Sequence, residues 1–156
     1  GGRIGIGALS IGLAQAAYEA AIAYSKERRT FGVPIAQHQA IQWMIADSAM
    51  ELYQCKLMVL HAAYKIDRGD DFRTEVSMAK HFVANSLWRI IDRSIQVHGA
   101  LGYSSDTPLG EMMKQARWAR FADGADEVHQ MRIAQRTIAA YKDHGTTKAA
   151  TGDLPI

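Results

Sequence analysis

Residues 41–66 read IQWMIADSAMELYQCKLMVLHAAYKI. Within this stretch Ile41, Met44, Ile45, Ser48, Leu52, Cys55, Val59, Ala62 and Ile66 recur at steps of three and four. That period lays one apolar stripe along an α-helix, and a strand would need alternation instead. The pattern predicts a helix over about 37–68, long enough to be the spine of a helical bundle. Gly69 is placed to cap its end.

Helical periodicity continues on both sides. Upstream, Ile4, Ala8, Ile11, Tyr18 and Ile22 mark one face of a helix over about 3–29. The cluster Phe31-Gly32-Val33-Pro34 ends it, because Gly and Pro disfavour continuation. Downstream, Asp70 and Asp71 can cap a helix over about 72–98 with the stripe Val76, Ala79, Val83, Leu87, Ile90, Ser94 and Val97. Gly99 and Gly102 break that pattern. Asp106-Thr107-Pro108 has the composition of a helix start, with a capping side chain followed by Pro, and the helix it opens reaches about Ala119. A last helix begins after Gly124 and ends near His144-Gly145. No strand alternation or internal repeat is present. The fold class expected is all-α: an up-down four-helix bundle with an additional C-terminal helix over residues 1–145. The small, polar tail, 146–156, is expected to fray.

Composition narrows the function classes. The net charge of +2 gives no argument for a nucleic-acid partner. Cys55 is the single cysteine, so no intrachain disulfide can form. No run approaches the ~20 apolar residues of a transmembrane helix, and the N-terminus lacks a signal-peptide layout. The chain starts at Gly1 without an initiator Met, and is read as a piece of a longer or processed protein.

Three segments could carry chemistry. Arg28-Arg29-Thr30-Phe31-Gly32-Val33-Pro34-Ile35, followed by Gln39, places basic residues at a helix end. The macrodipole favours them there, but Arg beside an aromatic also suits a phosphate and a ring. Gln96-Val97-His98-Gly99-Ala100-Leu101-Gly102-Tyr103 holds two glycines, which make a turn or admit a ligand close to the backbone. Ala122-Asp123-Gly124-Ala125-Asp126-Glu127 opens the last helix. Asp123 there is either an N-cap or a base beside backbone N–H groups.

Together and in this order, these segments resemble the C-terminal helical domain of acyl-CoA dehydrogenases, over roughly residues 3–143. The Arg-x-x-Phe-Gly-x-Pro-Ile run appears as Arg28, Phe31, Gly32, Pro34 and Ile35. The Gln-x-x-Gly-Gly-x-Gly-Tyr run appears as Gln96, Gly99, Gly102 and Tyr103. The Tyr-Glu-Gly-Thr run appears as Ala122-Asp123-Gly124-Ala125. Family members oxidise an acyl-CoA thioester to the enoyl-CoA with FAD, and pass electrons to an acceptor such as an electron-transfer flavoprotein. The resemblance implies that Asp123 is the base that takes the α-proton, that Gly124 lies beside the thioester, and that Arg3 helps form the substrate site. It implies that Arg28, Phe31 and Gln39 touch the FAD of a neighbouring subunit. Gln96, Val97, His98, Gly99 and Ala100 would approach FAD through the glycine turn, with Ala125, Asp126 and Glu127 bordering it at the last helix start. A homodimer or homotetramer is the implied assembly. No metal is implied.

The sequence departs from the family in several places. Most members have Glu at the position of Asp123. Some place the base in the first helix, at Gly2, which cannot serve. Ala100 replaces a glycine, Ala125 replaces a threonine, and Gln115 stands where Asp is frequent. An Asp base resembles most the subgroup of vertebrate family members ten and eleven and their bacterial relatives. It is also found in nitroalkane oxidase, a flavoenzyme of the same superfamily and the alternative reaction. A non-catalytic oligomerisation or binding bundle is a further alternative. A di-iron bundle needs two Glu-x-x-His motifs; the nearest approach is the single Asp126-x-x-His129. The family's N-terminal helical and middle β-domains are not in this chain, so the fragment alone is expected neither to hold FAD stably nor to turn over. Any targeting segment would precede Gly1. The compartment is therefore open: bacterial cytoplasm, mitochondrion or peroxisome.

Overall fold

The computed structural model describes residues 2–151. Its elements in order are α1 (Gly2–Glu27), a two-stranded ribbon of β1 (Arg29–Thr30) and β2 (Val33–Pro34), a 3-10 turn (Ile35–Gln37), α2 (Gln39–Arg68), α3 (Arg73–His98), α4 (Ala100–Tyr103), α5 (Leu109–Ala119), α6 (Asp126–His144) and α7 (Lys148–Thr151). This is the all-α bundle that the periodicity predicts.

The centre is α3, which packs against α1, α2, α4, α5 and α6. Its predicted stripe is buried throughout, from Val76 to Val97. Leu87, Ile90 and Ile91 meet Leu52 of α2, Ala14 and Ala17 of α1, and Leu109 and Ala116 of α5 in the main core. Each such large side chain contributes roughly 1.5–3 kcal/mol by leaving water. Tyr24 stacks on His98 with ring centroids 4.4 Å apart, so α1 and α3 run parallel. A smaller cluster of Ala21, Ile35 and Val97, flanked by Met44, joins the start of α2 to that same end.

Gly69 caps α2 in the left-handed conformation, φ 74°, and Asp71 accepts from the Arg73 amide at 3.2 Å. Other expectations need correction. The inward face of α1 is not the isoleucine stripe. It is Gly7, Ser10, Ala14, Ala17, Ala21 and Ser25, while Ala8 is exposed. Small residues let the α1 backbone lie close to its neighbours; a Cβ on Gly7 would sit 3.1 Å from Val59. By length and apolarity α1 could span a bilayer, against the sequence expectation. In the fold this apolarity serves packing on α3 and α2.

A ribbon follows α1 where no strand was expected. Phe31 and Gly32 both have positive φ, 52° and 84°. Two such residues between paired strands make the turn type that matches strand twist. Asp106 does not cap α5, whose first turn follows Pro108 without a side-chain cap. Of the tail expected to fray, residues 152–156 lie outside the described residues, and 146–151 lead into and form α7. Thr146 Oγ1 accepts from the Lys148 amide, the Thr147 carbonyl accepts from Ala150 and Thr151, and Ala150 is buried.

Candidate active site

The turn between α5 and α6 presents Asp123. It begins as α5 unwinds, with the Phe121 and Ala122 amides both donating to the Trp118 carbonyl. It closes where the Asp126 amide donates to the Arg120 carbonyl at 3.1 Å. Between these points Asp123 is left-handed, φ 53°, and Gly124 has φ 113°. The N-cap of α6 is Ala125, in extended conformation and without a side-chain bond. Asp123 therefore does not cap this helix, and the structural reading of that carboxylate falls away.

The Asp123 carboxylate points instead at the start of α1. A Cβ on Gly2 would lie 2.4 Å from Asp123 Oδ2. The two positions face one point in space, and Gly2 leaves room for the acid. Arg3 Nε donates to the Asp123 carbonyl at 3.3 Å. Asp123, Gly2 and Arg3 rim a cleft of about 480 Å³ whose wall includes Ile4, Ile66, Phe72 and Val76. An acid at the mouth of a cleft with an apolar wall can exchange a proton with a ligand whose chain lies along that wall.

Buried polar groups lie under the turn. Lys80 of α3 is 1% exposed, and its Nζ donates to the Gly124 carbonyl at 2.6 Å. Burial lowers its pKa; the charges of Asp126 and Asp123 oppose this, and those of Arg120 and Arg3 add to it. His129 is fully buried, its ring nitrogens unpartnered among the described residues. Burial and the charges of Lys80 and Arg3 hold the ring below its ordinary pKa, against a weak backbone interaction with Asp123. Asp126 is buried as well. Burial raises its pKa, but hydrogen bonds from Arg120 (2.8 Å) and Asn85 (3.0 Å) and the nearby His81 outweigh that and hold it low. Its side chain is thus spent inside the fold, while Glu127 faces solvent.

Lys80 and His129 carried no site role in the sequence. Lys80 could have been found, since it stands four residues after Val76 and three before Val83, on the buried stripe. His129 is one turn into α6 from Asp126 and was weighed only as a metal ligand.

The other expected residues gather at the opposite end of the bundle. Arg28, Phe31 and Gln39 are exposed there, Phe31 almost completely at 99%. Gln96, Gly99 and Ala100 are exposed beside them, while Val97 and His98 are buried and anchor the turn. Gly99 has φ 61°, and a Cβ there would meet nothing within 4 Å, so the backbone lies open to a ligand. An exposed aromatic, a guanidinium, two amides and an open turn suit an aromatic dinucleotide with a pyrophosphate, and FAD fits that description. From Arg3 to Arg28 the α1 axis rises roughly 37 Å at 1.5 Å per residue. The structure thus brings Arg3, Asp123, Gly124, Ala125 and Glu127 together at one end and Arg28, Phe31, Gln39, Gln96, Gly99 and Ala100 at the other.

The acyl-CoA dehydrogenase C-terminal domain model matches residues 1–138. This chain belongs to that family. A 3-(aryl)acrylate reductase from Clostridium sporogenes is 41% identical over 137 residues, covering 88% of this chain and 36% of the relative. The acryloyl-CoA reductase (NADH) of Anaerotignum propionicum is 37% identical, over 88% of this chain and 35% of its own length. The butyryl-CoA dehydrogenase structure from Megasphaera elsdenii superposes with a TM-score of 0.81 at 33% identity, covering 83% of this chain and 34% of that one. The chain therefore spans about a third of the length of these acyl-CoA dehydrogenase relatives.

Proposed function

We propose that this chain is the C-terminal domain of an FAD-dependent acyl-CoA dehydrogenase in which Asp123 takes the α-proton of the acyl thioester. The observation that carries the reading is the Asp123 carboxylate, free of capping duty and set at the rim of a cleft with one apolar wall. FAD, when bound, accepts the hydride from the β-carbon. The chain's own residues orient: Gly124 lets the backbone pass close to the thioester, Arg3 steadies the Asp123 carbonyl, and Ile4, Ile66 and Val76 exclude water. Asp is one methylene shorter than Glu, and the left-handed φ of Asp123 is the local adjustment that carries its carboxylate towards α1.

The site works in either direction. Two of the relatives named above are reductases. In that direction protonated Asp123 returns a proton to the α-carbon of an enoyl thioester, while the β-carbon takes its hydride from reduced FAD. An electron-transfer flavoprotein is the class of redox partner proposed.

Arg28, Phe31, Gln39, Gln96, Gly99 and Ala100 are proposed to hold the FAD of a neighbouring subunit, which accounts for their distance from Asp123. A homodimer or homotetramer follows. The outer face of α2 supports it, since Trp43, Met50, Tyr53, Leu57, Leu60 and Tyr64 form an exposed apolar row at steps of seven, three and four. Without its neighbouring domains this chain is proposed to bind no FAD and to be inactive; a yellow purified sample that reduces a dye with acyl-CoA would refute that. The main test is Asp123→Asn in the full-length enzyme. Turnover is expected to vanish at unchanged flavin content, and surviving turnover removes Asp123 from the mechanism.

A further inference from the structure

We propose that Lys80 is a positioning residue for the base: its buried ammonium holds the Gly124 carbonyl and so fixes the left-handed turn that carries the Asp123 carboxylate. This rests on the reading of Asp123 as the α-proton base.

A lysine in the middle of a bundle's central helix is expensive. Its ammonium is stripped of water, and an apolar side chain of similar volume packs as well without that cost. Lys80 is nonetheless 1% exposed. Its one hydrogen bond among the described residues goes not to a neighbouring carboxylate but to a backbone carbonyl 44 residues away, at 2.6 Å. The bond is charge-assisted and sheltered from solvent, which makes it stronger than a neutral one. Arg3, by comparison, reaches the Asp123 carbonyl only at 3.3 Å from a more exposed position.

The turn needs such a hold. Two successive residues, Asp123 and Gly124, have positive φ, and for a residue with a side chain that region is disfavoured. Relaxation of Asp123 to ordinary φ would swing its carboxylate away from Gly2 and the cleft. With the Gly124 carbonyl tied to α3 from below, that rotation is blocked. His129 closes the other side, its Nε2 lying 3.0 Å from where a Gly124 Cβ would be. The charged groups around the ammonium are Asp123 and Asp126 on the attractive side and Arg3 and Arg120 on the repulsive side, with His129 adjacent. Asp126 is already engaged by Arg120 and Asn85. That leaves the Lys80 bond free to serve the turn.

The test uses the full-length flavoenzyme with Lys80→Met, which is one atom shorter and lacks the donor, and Lys80→Gln, which is equally short but keeps an N–H donor. The readouts are kcat and KM for the acyl-CoA, and exchange of α-protons with D2O in an acyl-CoA whose β-carbon is replaced by sulfur. That analogue can lose an α-proton but cannot give a hydride, so its exchange reports the base alone. Lys80→Met is expected to lower kcat and exchange by about 100-fold, the scale of a 1 Å misplacement of a reacting group, with KM nearly unchanged. Lys80→Gln is expected to recover part of both. A core variant away from the turn, Ile90→Val, is expected to keep normal exchange. A folded, flavin-loaded Lys80→Met that exchanges at the wild-type rate overturns the proposal, as does an equal loss in Ile90→Val. Asp123→Asn run alongside separates the two claims. If it still exchanges, the base reading itself has failed; if it is silent while Lys80→Met is normal, only the role of Lys80 has failed. Should neither lysine variant fold, wild-type protein decides by NMR. A solvent-protected Lys80 ammonium coupled to the Gly124 carbonyl is expected, and a freely exchanging ammonium refutes the proposal.

Discussion

Replacing Gly2 by Ala is the smallest change that should disarm the site without unfolding it. The added Cβ would sit 2.4 Å from Asp123 Oδ2. Ordinary contact begins near 3.4 Å, so one partner must yield by about 1 Å. The partner able to yield is the end of the Asp123 side chain, which can rotate away from α1. The fold loses little, since Ala in place of Gly in a helix gains up to about 1 kcal/mol. Chemistry loses much: a 1 Å misplacement of a reacting group costs about 100-fold, or about 2.7 kcal/mol in the barrier. The assay is kcat on an acyl-CoA in the full-length enzyme, with thermal melting as the control for folding. A Gly2→Ala enzyme with normal kcat, beside an inactive Asp123→Asn, would show that the two positions do not share one space during catalysis.

Gly124→Ala should destabilise by about 1–3 kcal/mol, because it forces a side chain into φ 113° and against His129; denaturant midpoints measure it, and an unchanged midpoint contradicts the turn geometry. Gly102→Ala brings a Cβ to 2.7 Å from the Ile95 carbonyl oxygen, a backbone atom that cannot rotate aside. A loss of about 1–3 kcal/mol is expected, read the same way. His129 gives a pH signature. Its folded pKa lies below the ordinary value near 6.5, so the unfolded chain takes up a proton there before the folded one does. Its contribution is complete above about pH 6.5 and is lost as pH falls towards the folded pKa, with a limiting slope of about 1.4 kcal/mol per pH unit. His129→Gln should flatten the stability profile between pH 7 and 5, and an identical profile would rule the histidine out. Cys55 is buried and its thiol pushed up to about 11 by that burial. It should stay unmodified by thiol reagents at neutral pH in the folded protein; rapid labelling, read by mass spectrometry, would show that α2 opens there.

Much of this fold is legible in the sequence because α2 and α3 write it in large apolar residues at helical spacing. Other parts are written in residues that period alone does not flag. The inner face of α1 is Gly, Ser and Ala, which carry little hydropathy, so the flanking isoleucines drew the eye. The ribbon was hidden because Phe31 occupies a left-handed turn position where Asn or Asp is the usual signal. At the site, Asp123 has the residue type and place of an N-cap, and the extended backbone of Ala125 shows that Ala125 holds that position instead. Lys80 lay in plain view on a buried stripe. What it touches depends on a turn 44 residues further on, which no local pattern reports.

The straight run of α1 has a genetic consequence. One helix separates the exposed hairpin end from the Asp123 end, so a flavin shared between subunits would take its two sides from different copies of this chain. A copy damaged at Phe31 and a copy damaged at Asp123 would each be dead as a pure assembly. In a mixed dimer, one site would pair the intact hairpin end with the intact turn end while the other would pair the two damaged ends. Two null alleles could then rescue each other, and the length of a single helix would be the reason.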